Sequence, residues 1–254
     1  DEKGYDFISY YADNDISLQI SQCEDLIAQG IDGLIVMPVD AAGIKPGLEA
    51  AKAAGIPAAS VDAGVVDQDL VIGYVASNNY LAGYLAGQDV LAQHPDGCKA
   101  VVLSHPEILC TQEREAGFVD ALKEGGDKYE IVSTQPCKGL QDQAMAVMEN
   151  MIQAYEFEVA FCINDPSAEA AANVLKSAGL IDKVDVYGVD GEQAAADYIL
   201  DGMMRGCSAQ QPKLMGYLAC ELLDKYLAGE EVEYETLLDI LFLTEENAAD
   251  YVGF

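Results

Sequence analysis

Short apolar runs alternate with longer amphipathic stretches along almost the whole chain. Residues 5–11 are rich in aromatic and β-branched side chains and read as a first strand. Asp13-Asn14-Asp15 then offers cap oxygens for a helix through residue 28, with Gly30 as its stop. The same rhythm predicts strands over 33–37, 57–61 and 71–75. Helices are expected up to residue 54 and over 79–93, the latter capped by Asn78-Asn79. Its small residues, Ala82, Gly83, Ala86 and Gly87, predict close packing against a neighbouring element.

After the turn cluster His94-Pro95-Asp96-Gly97 the pattern restarts. Strands are expected over 100–103, 129–132, 159–163, 184–189 and 206–209. Helices are expected over 111–124, 140–155, 166–178, 192–200 and 212–227. An extended stretch over 234–243 and a terminal helical turn near 245–251 follow. Alternation on this scale means βαβ units and parallel sheets, here in two similar runs.

Four of the strand ends finish on polar residues: Ser60-Val61-Asp62, Cys162-Ile163-Asn164-Asp165, Tyr187-Gly188-Val189-Asp190-Gly191 and Ser208-Ala209-Gln210-Gln211-Pro212. In an open parallel α/β sheet, ligands bind outside the carboxyl ends of the strands. Polar groups gathered there from separate strands predict a small-molecule site. The carboxylates of Asp62 and Asp190 also have a plain reading as turn or cap residues. Asn164 and Asp165 have one as the cap of the helix at Pro166, and Arg114 as a surface partner of Glu113 or Glu115.

Composition removes several classes of function. The 254 residues carry 13 Lys and Arg against 44 Asp and Glu, a net charge of -31 spread along the chain. That excess argues against nucleic acid and anionic membrane surfaces, which need clustered basic residues, and predicts a solvated acidic surface. Seven cysteines are scattered without a CxxC pair, and the only histidines are His94 and His105, so zinc-ligand spacing is missing. There is no Walker loop, no GxSxG and no Cys-His pair with an orienting group, so neither an enzyme nor a cofactor is expected. Asp1-Glu2-Lys3-Gly4 leads straight into the first apolar run and does not read as a signal peptide, so any targeting segment is expected to have been removed.

Taken in order, Gly4-Tyr5-Asp6, Gln22 to Ile27, Gly30 to Val36, Gly55-Ile56-Pro57, Ala76-Ser77-Asn78-Asn79, Arg114 to Phe118, Asn164-Asp165, Gly188 to Gly191 and Ala209 to Pro212 form a specific series. In that series the whole chain resembles the type I periplasmic sugar-binding proteins of the ribose-binding class. The resemblance implies an α/β fold of two Rossmann-like lobes joined by a three-crossing hinge. It implies lobes of 1–97 plus 211–239 and of 98–210 plus 240–254, with crossings near Gly97, Gln210 and Asp239. It also implies a sugar or related polyol bound in the cleft, lobe closure, delivery to an ABC transporter permease, and a periplasmic or membrane-anchored extracellular location, as for a lipoprotein.

The resemblance also assigns roles. Asp62 matches the first-lobe aspartate that accepts from sugar hydroxyls, and Arg114 the second-lobe arginine with its bidentate fork. Asn164 matches an amide that donates and accepts, Asp190 the second-lobe aspartate, and Gln210 the hinge amide. Tyr11 and His105 are further candidates for lining the site, although a solvated loop is the simpler expectation for His105.

This chain departs from the family in three ways. The family's first strand and helix are absent before Gly4, so a further segment or partner chain is expected to complement the gap. Ala63 stands where ribose binders have an arginine, and Gly139 where they have an aromatic platform. These departures argue against ribose itself and leave the sugar class intact. The competing expectation is the ligand-binding effector domain of a lactose-repressor-family regulator, which shares the fold but carries a DNA-binding headpiece.

Overall fold

A computed structural model describes residues 4–254. In chain order its helices are α1 (Ile16–Ala28), α2 (Lys45–Ala53), α3 (Asn79–Gln93), α4 (Leu109–Glu124), α5 (Gln141–Ala154), α6 (Asp165–Ser177), α7 (Gln193–Leu200) and α8 (Pro212–Leu227). Its strands are β1 (Leu34–Val36), β2 (Ala58–Val61), β3 (Gly73–Ser77), β4 (Cys98–Ser104), β5 (Tyr129–Pro136), β6 (Val159–Cys162), β7 (Asp185–Asp190), β8 (Gly206–Ala209), β9 (Glu235–Leu238) and β10 (Leu241–Leu243).

The capping residues explain many of the boundaries. Asp15 Oδ1 accepts from the backbone N–H groups of Ser17 and Leu18 and starts α1. Asn78 caps α3 by accepting from Leu81 N, and Asn164 caps α6, with Pro166 in the first turn. Gly30 and Gly55 follow α1 and α2 with φ of 78° and 75°, conformations that carry no steric cost for glycine.

Packing divides the chain into two compact units. The first holds residues up to 75 together with 216–236. Its sheet runs β1-β2-β3-β9, with β1, β2 and β3 mutually parallel. Its core gathers Leu34, Val36, Ala58, Ile44, Leu48 and Cys23, so α1 and α2 cover one face of the short strands.

The second unit holds 76–215 and 237–254. Its sheet runs β10-β8-β7-β6-β4-β5, parallel throughout except for β10, which pairs antiparallel with β8. Both faces are buried, which is why its strands read as continuous apolar runs rather than alternating ones. On one face α5, α6 and α7 pack over Val101, Leu103, Ala160, Cys162 and Val186. On the other, α3 and α4 pack over Val102, Phe161, Tyr187 and Val189. There Phe118 stacks on Phe161 with ring centroids 4.4 Å apart. Complete burial of Phe118 contributes about 2–3 kcal/mol.

The small residues of α3 do what their pattern predicts. A Cβ at Gly83 would overlap the Arg114 carbonyl, and one at Gly117 the Tyr80 carbonyl. The two helices therefore meet backbone to backbone. This contact also puts α3 in the second unit, so the division by packing falls at 75/76 rather than near Gly97. The other two changes of unit fall at 215/216 and 236/237, against the expected Gln210 and Asp239.

Two expectations need correction. Residues 5–11 form no strand: they run as irregular chain, with Phe7 and Tyr11 largely exposed. Their side chains suit a pleated surface, but a strand exists only through its ladder, and none of the described strands pairs with this segment. Residues 234–243 are not one extended element. They break at residues 239–240 into β9, beside β3, and β10, beside β8. No described helix is long and apolar enough to cross a membrane.

Candidate functional site

In the second unit, three of the polar strand ends meet around one guanidinium. Arg114 enters from α4 and is almost wholly buried. Its Nε donates to Asn79 Oδ1 at 2.9 Å, and its Nη1 donates to the Ile163 carbonyl at 2.7 Å and to Asp190 Oδ1 at 3.2 Å. The arginine thus ties α3, the end of β6 and the end of β7 together. A planar fork can do this because its donors diverge in fixed directions.

Asp190 ends β7 with φ of 133°, backbone that residues with a side chain rarely adopt. The same Oδ1 that meets Arg114 also accepts from Gln210 Nε2 at 2.6 Å. Gln210 is further fixed by its backbone N–H, which donates to the Asp190 carbonyl at 2.7 Å. Its other side-chain atom, Oε1, is buried and has no hydrogen-bond partner among the described residues. A buried amide oxygen without a donor costs roughly 1–3 kcal/mol, and a donor supplied from outside relieves that cost.

Asn164 lies at the end of β6 with both halves of its amide engaged. Oδ1 caps α6 through Ser167 N at 3.1 Å, and Nδ2 donates to the Gly139 carbonyl at 3.0 Å. Gly139 has φ of 65°, and a Cβ there would crowd Asn164 Nδ2. Next in sequence, Asp165 is completely buried. Oδ2 accepts from the backbone N–H groups of Gly191 and Glu192 at 2.8 and 2.9 Å, and Oδ1 accepts from the Cys207 thiol at 3.0 Å. Burial raises the Asp165 carboxyl well above the usual range, and the charge of Asp190 raises it further.

Asp62 belongs to the first unit. It follows β2 with φ of 63°, its N–H donates to the Val75 carbonyl at 2.9 Å, and the Tyr74 hydroxyl donates to its carbonyl at 3.3 Å. The backbone is pinned while the carboxylate takes no hydrogen bond among the described residues. Tyr11, also in the first unit, is 82% exposed; its backbone carbonyl accepts from Gln22 Nε2.

His105 is not a solvated loop residue. It is buried after β4, with Nε2 3.6 Å from Glu107 Oε2, and burial holds its imidazole below the ordinary value. The Thr111 hydroxyl donates to its carbonyl. This contact ties the loop to α4, the helix that carries Arg114.

Of the residues singled out in the sequence, the structure brings Arg114, Asp190 and Gln210 to one place, and sequence reasoning stops short of the rest. It missed Asn79, whose side chain accepts from Arg114 Nε, while Asp165 is structural as expected, through the 191–192 backbone rather than as a helix cap. The available signal for Asn79 was the doubled asparagine: one residue suffices for the cap, and Asn78 supplies it. No group of three or more potential metal ligands occurs among the described residues.

A two-unit, mainly parallel α/β fold, with a buried arginine, a carboxylate and an amide collected at the strand ends, defines a binding protein for a small polar molecule. The chain belongs to the periplasmic binding protein family: the family model for a periplasmic binding protein domain matches residues 1–231. It is 33% identical over 234 residues to the ribose import binding protein of Bacillus subtilis, covering 91% of this chain and 75% of that protein. It is 27% identical to a xylitol-binding protein of Mycolicibacterium smegmatis, covering 93% of this chain and 68% of the relative. It also matches the structure of an ABC transporter solute binding protein from Mycobacterium smegmatis with bound glycerol. That match has a TM-score of 0.93 and 30% identity, over 100% of this chain and 88% of the other.

Proposed function

We propose that the protein is the solute-binding receptor of an ABC importer and takes a monosaccharide or related polyol. The observation that carries this reading is the Asp190 carboxylate held between Arg114 and Gln210, with the buried Gln210 Oε1 lacking a donor among the described residues. A polyol presents neighbouring hydroxyls, each both donor and acceptor. One such hydroxyl donates to Gln210 Oε1, and others donate to Asp190 and accept from Arg114. Relatives named for ribose import and for xylitol support the class.

Asn164 contributes through the N–H and the lone pair that its cap leaves over. Asp62 is the acceptor from the other unit, while His105 and Tyr11 are lesser candidates to line the ligand. Closure of the two units on the sugar, hand-over to a permease, a periplasmic or extracellular location and attachment as a lipoprotein belong to the same proposal. No chemical turnover is part of it.

The test is native mass spectrometry of the protein after incubation with a mixture of D-ribose, other pentoses and hexoses, xylitol, glycerol and inositols. One adduct that competes out the others, and whose ligand is recovered chemically unchanged, supports the receptor. Absence of any adduct, or recovery of a modified product, contradicts it.

A further inference from the structure

The backbone of Asp190 is strained, and strain of this kind persists only where the surroundings over-determine it. The next peptide is held from both sides. From α6, Asp165 Oδ2 accepts the N–H groups of Gly191 and Glu192. From the C-terminal segment, the Tyr251 hydroxyl donates to the Gly191 carbonyl at 2.8 Å. Gly191 itself, with φ of 84°, cannot be enlarged: a Cβ would run into Ala209 and the Tyr251 hydroxyl.

We propose that Asp165 and Tyr251 are positioning residues of the binding site, gripping the 190–192 turn so that the Asp190 carboxylate stays aimed between Arg114 and Gln210. This rests on the reading of Asp190 as a ligand contact. Neither residue needs to touch the ligand: Asp165 is fully buried behind the turn, and the Tyr251 hydroxyl is committed to the Gly191 carbonyl. The arrangement spans three separate segments, α6, the β7–α7 turn and the chain terminus, so local sequence around Asp190 does not encode it.

The grip also explains a buried carboxylate that has no cation of its own among the described residues. Asp165 Oδ1 faces the Cys207 thiol of β8, and Oδ2 faces two N–H groups, while the charge of Asp190 acts against its ionisation. Three donors to one carboxylate are a strong anchor for a turn. Hydrophobic side chains in the same place would leave the Gly191 and Glu192 N–H groups unsatisfied.

The test uses the full chain and three variants. Tyr251→Phe removes only the hydroxyl, Asp165→Asn keeps the shape but replaces one acceptor oxygen by an NH2 donor, and Tyr198→Phe is a control that deletes a hydroxyl bonded to Asn173 on α6, away from the turn. The probe is whichever member of the mixture of D-ribose, other pentoses and hexoses, xylitol, glycerol and inositols binds the wild type most tightly, and melting temperature and amide spectra are recorded alongside.

We expect Tyr251→Phe to bind about three- to tenfold more weakly, the loss of one net hydrogen bond, and Asp165→Asn more weakly still. The amide resonances of residues 190–192 should move in both. Tyr198→Phe should lower the melting temperature without changing affinity. Unchanged affinity in both turn variants, or a loss in Tyr198→Phe proportional to its destabilisation, overturns the proposal while leaving the receptor intact. A wild type that binds no member of that mixture overturns the receptor reading and this proposal together.

Discussion

Arg114 and Asp190 are paired at 3.2 Å, Nη1 to Oδ1, with the arginine side chain only 3% exposed. A buried pair of this kind is weak evidence for stability by itself, because desolvation offsets much of the attraction. Its value lies in pre-orientation. The arginine is locked by Asn79 and the Ile163 carbonyl before any ligand arrives.

Replacing that arginine separates geometry from charge. Arg114→Lys keeps the positive charge but cannot reach Asn79, Ile163 O and Asp190 from one ammonium. It is expected to lower stability by about 2–4 kcal/mol and to abolish measurable sugar binding. Urea denaturation and titration calorimetry check the two effects, and wild-type affinity in the variant would remove Arg114 from the site.

Gln210→Leu removes a buried oxygen that has no partner among the described residues, together with a bond to Asp190. The two effects on folding oppose each other, so stability should change by less than about 1 kcal/mol. Affinity should fall roughly tenfold or more, since a hydroxyl donor loses its acceptor. A large stability loss with unchanged affinity would make Gln210 a purely structural residue.

The tight α3–α4 contact predicts an effect at a distance. Gly83→Ala forces its methyl into the Arg114 carbonyl, and helix backbones cannot yield without separating. A destabilisation of about 2–3 kcal/mol is expected, and because α4 carries Arg114, weaker ligand binding should accompany it. Gly216→Ala, where a Cβ meets nothing within 4 Å, is the control and should be neutral or slightly stabilising.

Asp165 sets a pH dependence of stability. Its carboxyl is raised in the folded state by burial and by Asp190, so the folded protein holds that proton more tightly than the unfolded chain. The contribution to stability is therefore fully present below the unfolded carboxylate value and is lost as pH rises through the folded one. Asp165→Asn has no such titration. The stability of wild type minus variant should decline from acid toward neutral pH, as followed by chemical denaturation at a series of pH values. A flat difference would mean that Asp165 ionises as readily folded as unfolded, and a rising one that the fold favours its ionised form; either contradicts the prediction.

Much of this architecture was legible in the chain because its signals are local. Asp15, Asn78 and Asn164 announce helix starts, Gly30 and Gly55 announce stops, and apolar runs such as 159–162 announce strands buried on both faces. What failed was non-local. The segment 5–11 has strand composition, but composition does not supply a ladder partner. Residues 234–243 look like one strand because nothing in their own sequence says that two different sheets claim their halves.

At the site, Asp190 and Gln210 stood out as polar residues ending apolar runs, and Arg114 through its resemblance. The left-handed backbone of Asp190 and the grip of Asp165 and Tyr251 did not. They arise from contacts between residues far apart in the chain, and a Val-Asp-Gly turn reads the same with or without them.

The most direct measurement is calorimetric titration of the wild-type chain, with Arg114→Ala beside it, against a panel of pentoses, hexoses and polyols. The wild type should bind one member with a dissociation constant in the micromolar range or below, and the variant should give no heat with that same sugar. Silence of the wild type across the whole panel, or equal affinity in the two proteins, would contradict a sugar receptor built around that arginine.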